Sequence, residues 1–358
     1  MPPAAPDPDW LARWIAHQGG VVRLDAFMRL ALSHPEYGYY CAANPIGRDF
    51  VTAPELSGLF GAAIGLALAR LWQEQGCPSP FILAELGPGR GRLMADMLAA
   101  TRAMVPGFVK AAHIHLVEIS PVLRDVQRQA LTGFNVVWHD TCADLPDGPL
   151  WLVANEFFDA LPIRQILRGE DGAWRERLVT VDSTTDALSF ALGPADPRLA
   201  LLVPEDIRAQ APIGWVVELC PAAQSIALDI AARIAHKGGA ALIVDYGYTR
   251  PSGASSLRAI HRGEHADVLT APGQTDISAG VDFAALTALG QRSGAQTSAV
   301  LTQAKLLSNL GVQGDIHHAL RRLCGTDSQA GEMGGDMLAL AYLPSDLTRI
   351  DAFCTTKP

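Results

Sequence analysis

Short apolar segments that alternate with helical segments are the feature of this chain that most restricts its fold. Each of five apolar runs ends in polar or glycine-rich residues: FILAEL (81–86), HIHLVE (113–118), NVVWHD (135–140), PLWLVANE (149–156) and ALIVDYG (241–247). Helical stretches follow the first two runs, at 92–104 and 121–131. Alternating strands and helices are typical of a parallel sheet with helices on both faces. The sequence therefore predicts an α/β fold with a doubly wound, mostly parallel sheet.

The spacing of these runs also predicts how the chain divides into regions. The fourth and fifth runs lie about 85 residues apart, which is far more than an ordinary crossover needs. Turn signals between them predict an inserted subdomain of antiparallel strands. The predicted regions are a helical N-terminal region (1–78), the first part of the α/β domain (79–163), a β-rich substrate subdomain (164–235) and the remainder of the α/β domain (236–358), with a loop insertion (249–280).

One N-terminal helix is predicted in detail. Thr52 to Glu55 matches the capping box, in which Ser or Thr is followed by Glu three residues later. Apolar residues from Leu56 onward then recur with helical spacing. Gly61 and Gly65 lie four residues apart on this helix, which predicts close packing against another element.

Composition and charge exclude several classes of protein. The 358-residue chain is 49% hydrophobic and 18% charged, so it is too apolar and too weakly charged to be disordered. A formal net charge of -9 disfavours a nucleic-acid binder that relies on a general basic field. The longest apolar run is too short to span a bilayer, so no membrane insertion is expected.

Cysteine and histidine spacing predicts neither a metal site nor a disulfide framework. The six cysteines are scattered without a CxxC pair, which is typical of a reducing compartment. His261 and His265 lie four residues apart in a glycine-rich stretch, and a third ligand with suitable spacing is missing.

A glycine-rich segment, ELGPGRG (85–91), follows the first apolar run. Gly87, Gly89 and Gly91 allow the backbone to turn tightly and to approach a ligand closely. The start of the helix that follows offers free amides to the same ligand. The spacing is GxGxG rather than the GxGxxG of a dinucleotide fingerprint, and Arg92 stands where that fingerprint has its third glycine. This pattern disfavours an NAD dehydrogenase.

Three acidic residues lie near the ends of the first three runs, namely Glu85, Glu118 and Asp140. Glu118 is placed to accept hydrogen bonds from both ribose hydroxyls of a nucleoside, and Asp140 to bond an adenine amino group. A carboxylate just before the glycines suits an ammonium and a sulfonium better than two phosphates. These residues favour S-adenosylmethionine as the cofactor, whereas a tight turn with surface acids is the alternative.

The segment NEFFDALP (155–162) follows the fourth run, at the strand end where open α/β sheets bind ligands. Asn155 is expected to bond the methionine end of the cofactor. Glu156 and Asp159 present two carboxylates, which match the paired donors of a guanidinium. Asp245 and Tyr246 end the fifth run on the same edge, so they are further candidates for catalysis. In the alternative interpretation, Glu156 and Asp159 are a helix-start acid and a cap.

Several segments resemble the MidA-type family of methyltransferases. They are HPEYGYY (34–40), the stretch 47–55, ELGPGRG (85–91), NEFFDALP (155–162), VDYG (244–247) and DVLTAPGQTDISAGVDF (267–283), in family order. The resemblance implies a class I methyltransferase fold, which is Rossmann-like, and S-adenosylmethionine as cofactor. The helical N-terminal region is expected to pack over the cofactor site. Gly38 and Tyr39 are candidates to close over the cofactor, and an ordinary packed turn is the alternative.

The resemblance also implies a function and a partner. The family includes a mitochondrial assembly factor that methylates an arginine in a core subunit of respiratory complex I. We therefore expect methyl transfer to arginine of a protein such as a complex I subunit, supporting complex assembly. The alternatives are a methyltransferase for a small molecule or another side chain, and a non-catalytic assembly chaperone that retains the fold. The missing presequence favours the bacterial cytoplasm; a removed presequence would instead indicate the mitochondrial matrix.

Overall fold

A computed structural model describes residues 9–42, 52–182, 184–312, 318–327 and 332–347 of the chain. Its contacts divide the chain into two units, each of which is built from three stretches. The first unit comprises Met1–Pro45, Ala160–Ala222 and Arg250–Gly280. The second unit comprises Ile46–Asp159, Ala223–Thr249 and Val281–Pro358.

The described residues form helices and strands with the following bounds. The helices are α1 (Trp10–His17), α2 (Leu24–Ser33), α3 (Tyr39–Ala42), α4 (Ala53–Leu56), α5 (Gly58–Glu74), α6 (Arg92–Met104), α7 (Pro106–Ala111), α8 (Pro121–Ala130), α9 (Glu205–Gln210), α10 (Pro221–Lys237), α11 (Phe283–Arg292), α12 (Gln303–Asn309) and α13 (His318–Cys324). The strands are β1 (Val21–Arg23), β2 (Phe81–Leu86), β3 (Ala112–Val117), β4 (Val136–His139), β5 (Leu150–Asn155), β6 (Arg164–Arg168), β7 (Trp174–Val181), β8 (Leu188–Leu192), β9 (Val216–Leu219), β10 (Gly239–Tyr248), β11 (Arg258–His261), β12 (Glu264–His265), β13 (Asp276–Ser278), β14 (Val281–Asp282), β15 (Gln296–Thr297), β16 (Leu301–Thr302) and β17 (Met337–Leu343).

The second unit contains the predicted mostly parallel sheet. Its strands follow the order β15-β17-β10-β5-β2-β3-β4, with β14 beside β10 and β16 beside β17. The strands β4, β3, β2, β5 and β10 pair in parallel, whereas β17 is antiparallel to β10. Every residue of β2 and of β5 is buried, as expected for parallel strands covered on both faces. Chain order reverses between β2 and β5, which creates a topological switch point there.

The two spaced glycines of α5 account for its close packing on α6. A Cβ atom at Gly61 would lie 2.7 Å from Cβ of Asp96, and one at Gly65 would lie 2.8 Å from Cα of Met97. Larger side chains at these positions would push the helices apart. The prediction of close packing at Gly61 and Gly65 is therefore confirmed.

The predicted start of this helix is wrong. Thr52 precedes only the four-residue helix α4, and its side chain makes no capping hydrogen bond within the described residues. Ser57 has extended backbone angles and interrupts the helical run. Its side-chain oxygen accepts a hydrogen bond from the backbone N–H of Leu59 at 3.2 Å, so Ser57 caps the longer helix α5.

The first unit is built around antiparallel strands. One sheet has the order β1-β7-β6-β9, and β8 also pairs with β7 in antiparallel orientation. A smaller sheet, β12-β11-β13, lies within the stretch 249–280, which the sequence predicts to be a loop insertion. The two units also differ from the predicted regions. β1 and α5 both lie in the predicted N-terminal region (1–78), but β1 pairs with β7 of the first unit. In contrast, α5 packs on α6 of the second unit.

The part of the chain that the structure describes holds no helix long and apolar enough to cross a bilayer.

Candidate active site

The carboxyl ends of β2, β3, β4, β5 and β10 form one edge of the parallel sheet in the second unit. Residues that follow these strands are therefore brought to the edge where α/β sheets bind ligands. Glu85, Glu118, Asp140 and Asn155 lie at or directly after these strand ends. Asp245 directly follows the last residue of β10 that pairs with β5, so the sheet brings these predicted site residues to one edge.

The loop between β2 and α6 has a backbone that only glycine adopts readily. Gly87, Gly89 and Gly91 have φ angles of 59°, 53° and 78°, all in the left-handed region. A Cβ atom at Gly87 would also lie 2.9 Å from Cδ2 of Phe157. Gly91 precedes α6 and supplies no side-chain cap to the first turn of that helix.

Glu85 and Asn155 place unpartnered oxygens at the ends of the neighbouring strands β2 and β5. Glu85 is only 2% exposed, and its Oε2 has no hydrogen-bond partner among the described residues. Oδ1 of the buried Asn155 is also without one in the described ranges. Burial and, to a smaller extent, the nearby Glu118 raise the pKa of Glu85 to about 8, although a backbone hydrogen bond from Met94 opposes the shift. A ligand that carries an ammonium group would satisfy both oxygens.

Glu118 follows β3 as a buried acid with both oxygens already oriented. Its Oε1 accepts a hydrogen bond from the backbone N–H of Ser120 at 2.8 Å, and its Oε2 accepts one from Nε2 of Gln127 at 3.1 Å. Burial raises the pKa of Glu118 to about 6, whereas these two hydrogen bonds and Arg124 hold it down. Each oxygen retains a lone pair, so the carboxylate is suited to accept two ligand hydroxyls.

Arg124 is a functional candidate that sequence reasoning missed. Its Nε donates to the carbonyl oxygen of Glu118 at 2.7 Å, and its Nη2 donates to the carbonyl oxygen of His139 at 3.0 Å. The same Nη2 donates to Oδ1 of Asp140 at 2.6 Å, and the Asp140 side chain is 76% exposed. Arg124 thus joins the ends of β3 and β4 and orients Asp140.

Ile119 is a second residue that the sequence did not single out. It directly follows Glu118, and its apolar side chain is 44% exposed. Beside the ribose-binding candidate Glu118, it offers an apolar surface for the flat face of a base. The signal in the sequence was an apolar residue directly after a strand-end acid.

Asp245, in β10 directly after the last residue that pairs with β5, holds the segment that follows β5. It is completely buried, and its Oδ2 accepts hydrogen bonds from three successive backbone N–H groups, those of Phe157 (3.1 Å), Phe158 (2.8 Å) and Asp159 (3.3 Å). Its Oδ1 accepts the backbone N–H of Tyr246 at 2.8 Å. Burial and then the neighbouring Glu156 raise the pKa of Asp245, and the backbone donors oppose the shift. This geometry favours a positioning role for Asp245, which was predicted as a catalytic candidate.

Glu156 stands at the sharp turn between β5 and this segment. Its φ angle of 50° is rare for a residue with a side chain and costs about 1–3 kcal/mol. Its Oε1 accepts hydrogen bonds from the backbone N–H of Ala53 and from Nδ2 of Asn155, both at 3.1 Å. Glu156 and Asp159 are both partly exposed. They remain the candidates for contact with the methyl acceptor.

The remaining predicted site residues, Tyr246, Gly38 and Tyr39, pack against neighbouring residues of the unit to which each belongs. Tyr246 is partly buried against the main core of the second unit. Gly38 and Tyr39 belong to the first unit, where a Cβ atom at Gly38 would lie 2.3 Å from the backbone nitrogen of His34. The buried ring of Tyr39 lies edge-on to that of Tyr40. The cofactor contacts predicted for Gly38 and Tyr39 stay predictions.

In the described ranges, no group of three or more His, Cys, Asp or Glu residues is arranged to hold a metal ion.

Known proteins are similar to this chain in sequence and in fold. A family model described as S-adenosyl-L-methionine-dependent methyltransferase matches residues 63–301. The mitochondrial protein arginine methyltransferase NDUFAF7 of Xenopus tropicalis is 35% identical over 323 residues, which are 82% of this chain and 73% of that protein. The human protein of the same name is 33% identical over 82% of this chain and 70% of its own length. A crystal structure from Burkholderia thailandensis, bound to S-adenosyl-homocysteine, has a TM-score of 0.82 at 28% identity and covers 99% of this chain and 97% of that one.

The fold and the site together define a class I methyltransferase that uses S-adenosylmethionine as its cofactor. The chain belongs to the MidA-type family of these enzymes. The predicted fold class, cofactor and methyltransferase activity are thereby confirmed. The unpartnered oxygens of Glu85 and Asn155 and the crowded Gly87 fit this cofactor, since it combines an ammonium group with a nucleoside.

Proposed function

We propose that this methyltransferase modifies an arginine side chain of a protein, and that its acceptor is a subunit of respiratory complex I whose assembly the modification supports. The observation that carries the proposal is the pair of carboxylates, Glu156 and Asp159, on the segment that Asp245 holds at the end of β5. The names of the relatives, which are protein arginine methyltransferases, support the arginine as acceptor. The family resemblance supports the complex I subunit.

Arginine imposes two chemical demands on the site. A guanidinium has a pKa above about 12, so the nitrogen that attacks must first gain a free electron pair. It also presents paired N–H donors in one plane, which two oxygens of a carboxylate accept together. We assign Glu156 and Asp159 to hold the guanidinium, to concentrate its charge away from the reacting nitrogen and to accept its proton. Positioning then accounts for most of the remaining rate enhancement.

The cofactor, when bound, supplies a methyl group that is already activated by its sulfonium. In the proposed arrangement Glu85 and Asn155 hold its ammonium end, and Gly87, Gly89 and Gly91 let it approach the loop backbone closely. Glu118 accepts the ribose hydroxyls, and Asp140 lies near the base. Glu156 and Asp159 are thus left for the acceptor.

The first test separates acceptor contacts from cofactor contacts. We expect Glu156→Gln and Asp159→Asn to bind S-adenosyl-homocysteine nearly as the wild type does and to lose most methyl transfer. The reason is that an amide cannot accept the guanidinium proton in the transition state. The assay is single-turnover transfer of labelled methyl to an extract of cells that lack this protein, at saturating cofactor.

Asp147→Asn is the matched control for that test. Asp147 is exposed, bonds Lys237 at 2.9 Å and precedes β5 rather than following it, so transfer should be unchanged. Wild-type rates in both Glu156→Gln and Asp159→Asn would refute the carboxylate clamp.

The second test identifies the acceptor. Mass spectrometry of cells with and without the protein should find a methylarginine that depends on it, on a complex I subunit. Label that appears only in small molecules would instead support the small-molecule alternative. Full rescue of complex assembly by a Gly87 variant that cannot bind the cofactor would support the chaperone alternative.

A further inference from the structure

Gln127 on α8 is a completely buried polar residue in the midst of the cofactor site. Together with Leu123, four residues earlier, it forms the buried face of this helix. A polar side chain in such a place is costly unless its hydrogen bonds are made. All of its polar side-chain atoms do make them, and each bond reaches a different element.

The three hydrogen bonds of Gln127 fix the orientation of its amide. Nε1 of Trp138 on β4 donates to Oε1 of Gln127 at 2.8 Å, and an indole nitrogen can only donate. The NH₂ group therefore faces the opposite way. There it donates to the carbonyl oxygen of Gly89 at 2.7 Å and to Oε2 of Glu118 at 3.1 Å.

Each of the two acceptors belongs to a part of the site that holds the cofactor. Gly89 is the central glycine of the loop after β2, and Glu118 is the acid assigned to the ribose. One amide group thus orients the loop backbone and the carboxylate together. The arrangement leaves Gln127 without a free donor for a ligand, so it acts through these two groups.

We infer that Gln127 is a positioning residue for S-adenosylmethionine, which holds the Gly89 carbonyl and the ionised Glu118 carboxylate in the geometry that binds the cofactor. The inference rests on the proposed assignment of Glu118 to the ribose. It is independent of the acceptor, so an arginine test that fails would leave it standing.

The hydrogen bond from Gln127 also favours the charged form of Glu118. It is among the interactions that hold down the pKa of Glu118, which burial raises to about 6. Other titratable or charged groups around Glu118 are Glu85 on β2, Arg124 on α8, and His139 and Asp140 at the end of β4. All of these are retained when only Gln127 is changed, so a difference between variant and wild type isolates its contribution.

The test is the affinity for S-adenosyl-homocysteine as a function of pH, measured by calorimetry on the full chain. Ribose hydroxyls donate to the ionised carboxylate, so part of the affinity should be lost as the pH falls through the pKa of Glu118. In Gln127→Met we expect affinity about tenfold weaker at neutral pH, from the lost bond to a charged group. The pH midpoint of this loss should also move upward by about one unit.

Two further variants and one control complete the experiment. Trp138→Phe removes the donor that orients the Gln127 amide, so it should shift the pH midpoint in the same direction. This variant tests the inference if Gln127→Met fails to fold. Glu118→Gln should abolish this pH dependence. Gln129→Met, at an exposed position on the same helix, should bind as the wild type does.

A merely structural role for Gln127 would give a different result. Gln127→Met would then lower the melting temperature and weaken binding equally at every pH, with the midpoint unchanged. That outcome, or unaltered binding in Glu118→Gln, would overturn the inference.

Discussion

Replacing Asp245 by Asn tests whether this residue holds the acceptor segment. In the wild type, Oδ2 accepts the N–H groups of Phe157, Phe158 and Asp159, and Oδ1 accepts that of Tyr246. Asn has the same shape but only one acceptor oxygen. If that oxygen faces the three amides, its NH₂ group must face the N–H of Tyr246, where two donors meet.

The expected loss follows from these contacts. A hydrogen bond to a charged group contributes about 1.5–3 kcal/mol, and a buried donor left without a partner costs about 1–3 kcal/mol. Removing the charge brings an opposing gain, because burial and Glu156 both disfavour the ionised carboxylate and raise its pKa. Since four donors and no acceptor face Asp245 in these bonds, we expect the losses to dominate, with a net destabilisation of about 1–3 kcal/mol.

The assay compares three properties of Asp245→Asn. Urea unfolding should show the destabilisation, single-turnover methyl transfer should fall at least tenfold, and binding of S-adenosyl-homocysteine should change little. Asp282→Asn is the matched control, because Asp282 caps α11 by accepting a hydrogen bond from the N–H of Ala285 at 2.9 Å. Asn caps helices as well as Asp does. Wild-type stability together with wild-type transfer in Asp245→Asn would refute the holding role.

Three further predictions concern packing, pH and the cofactor loop. Gly61→Leu should lower the unfolding free energy by about 1–3 kcal/mol in urea, because its Cβ would lie 2.7 Å from Cβ of Asp96. Since burial raises the pKa of Glu85 to about 8, the folded protein keeps a proton that the unfolded chain releases. The unfolding free energy should therefore fall as the pH rises from about 5 to about 8, and Glu85→Gln should flatten this dependence in urea titrations. Gly89→Val, at a φ of 53°, should lose most affinity for S-adenosyl-homocysteine in calorimetry and remain folded.

The parallel strands were the most predictable part of the fold. A strand that is covered on both faces must be a continuous apolar run, and few other elements give that pattern. The run 81–86 matches β2 at both ends, and 149–156 extends β5 by one residue on either side. The helix 92–104 begins directly after Gly91. Gly91 has a left-handed backbone that ends the loop, so a glycine marks the start of the helix in the sequence.

The N-terminal region was harder to predict because its elements depend on distant partners. β1 is three residues long and exists as a strand because it pairs with β7, more than 150 residues later. The spacing of residues around β1 therefore does not indicate that this segment pairs with β7. Thr52 and Ser57 both have side chains that can cap a helix. The extended backbone of Ser57 separates α4 from α5, although the apolar periodicity alone predicts one continuous helix.

Glu118 and Asp245 show that residue type alone does not predict the role of an acid at the sheet edge. Glu118 directly follows β3, and Asp245 lies in β10 just beyond its pairing with β5; both are buried and both have a raised pKa. Their oxygens differ, since those of Asp245 accept four backbone N–H groups whereas each oxygen of Glu118 accepts one. A carboxylate whose oxygens already accept several backbone N–H groups holds a loop, whereas a carboxylate with unused lone pairs can bind a ligand. That distinction is set by loop conformation and by Gln127 on a different element, so it could be read only from the structure.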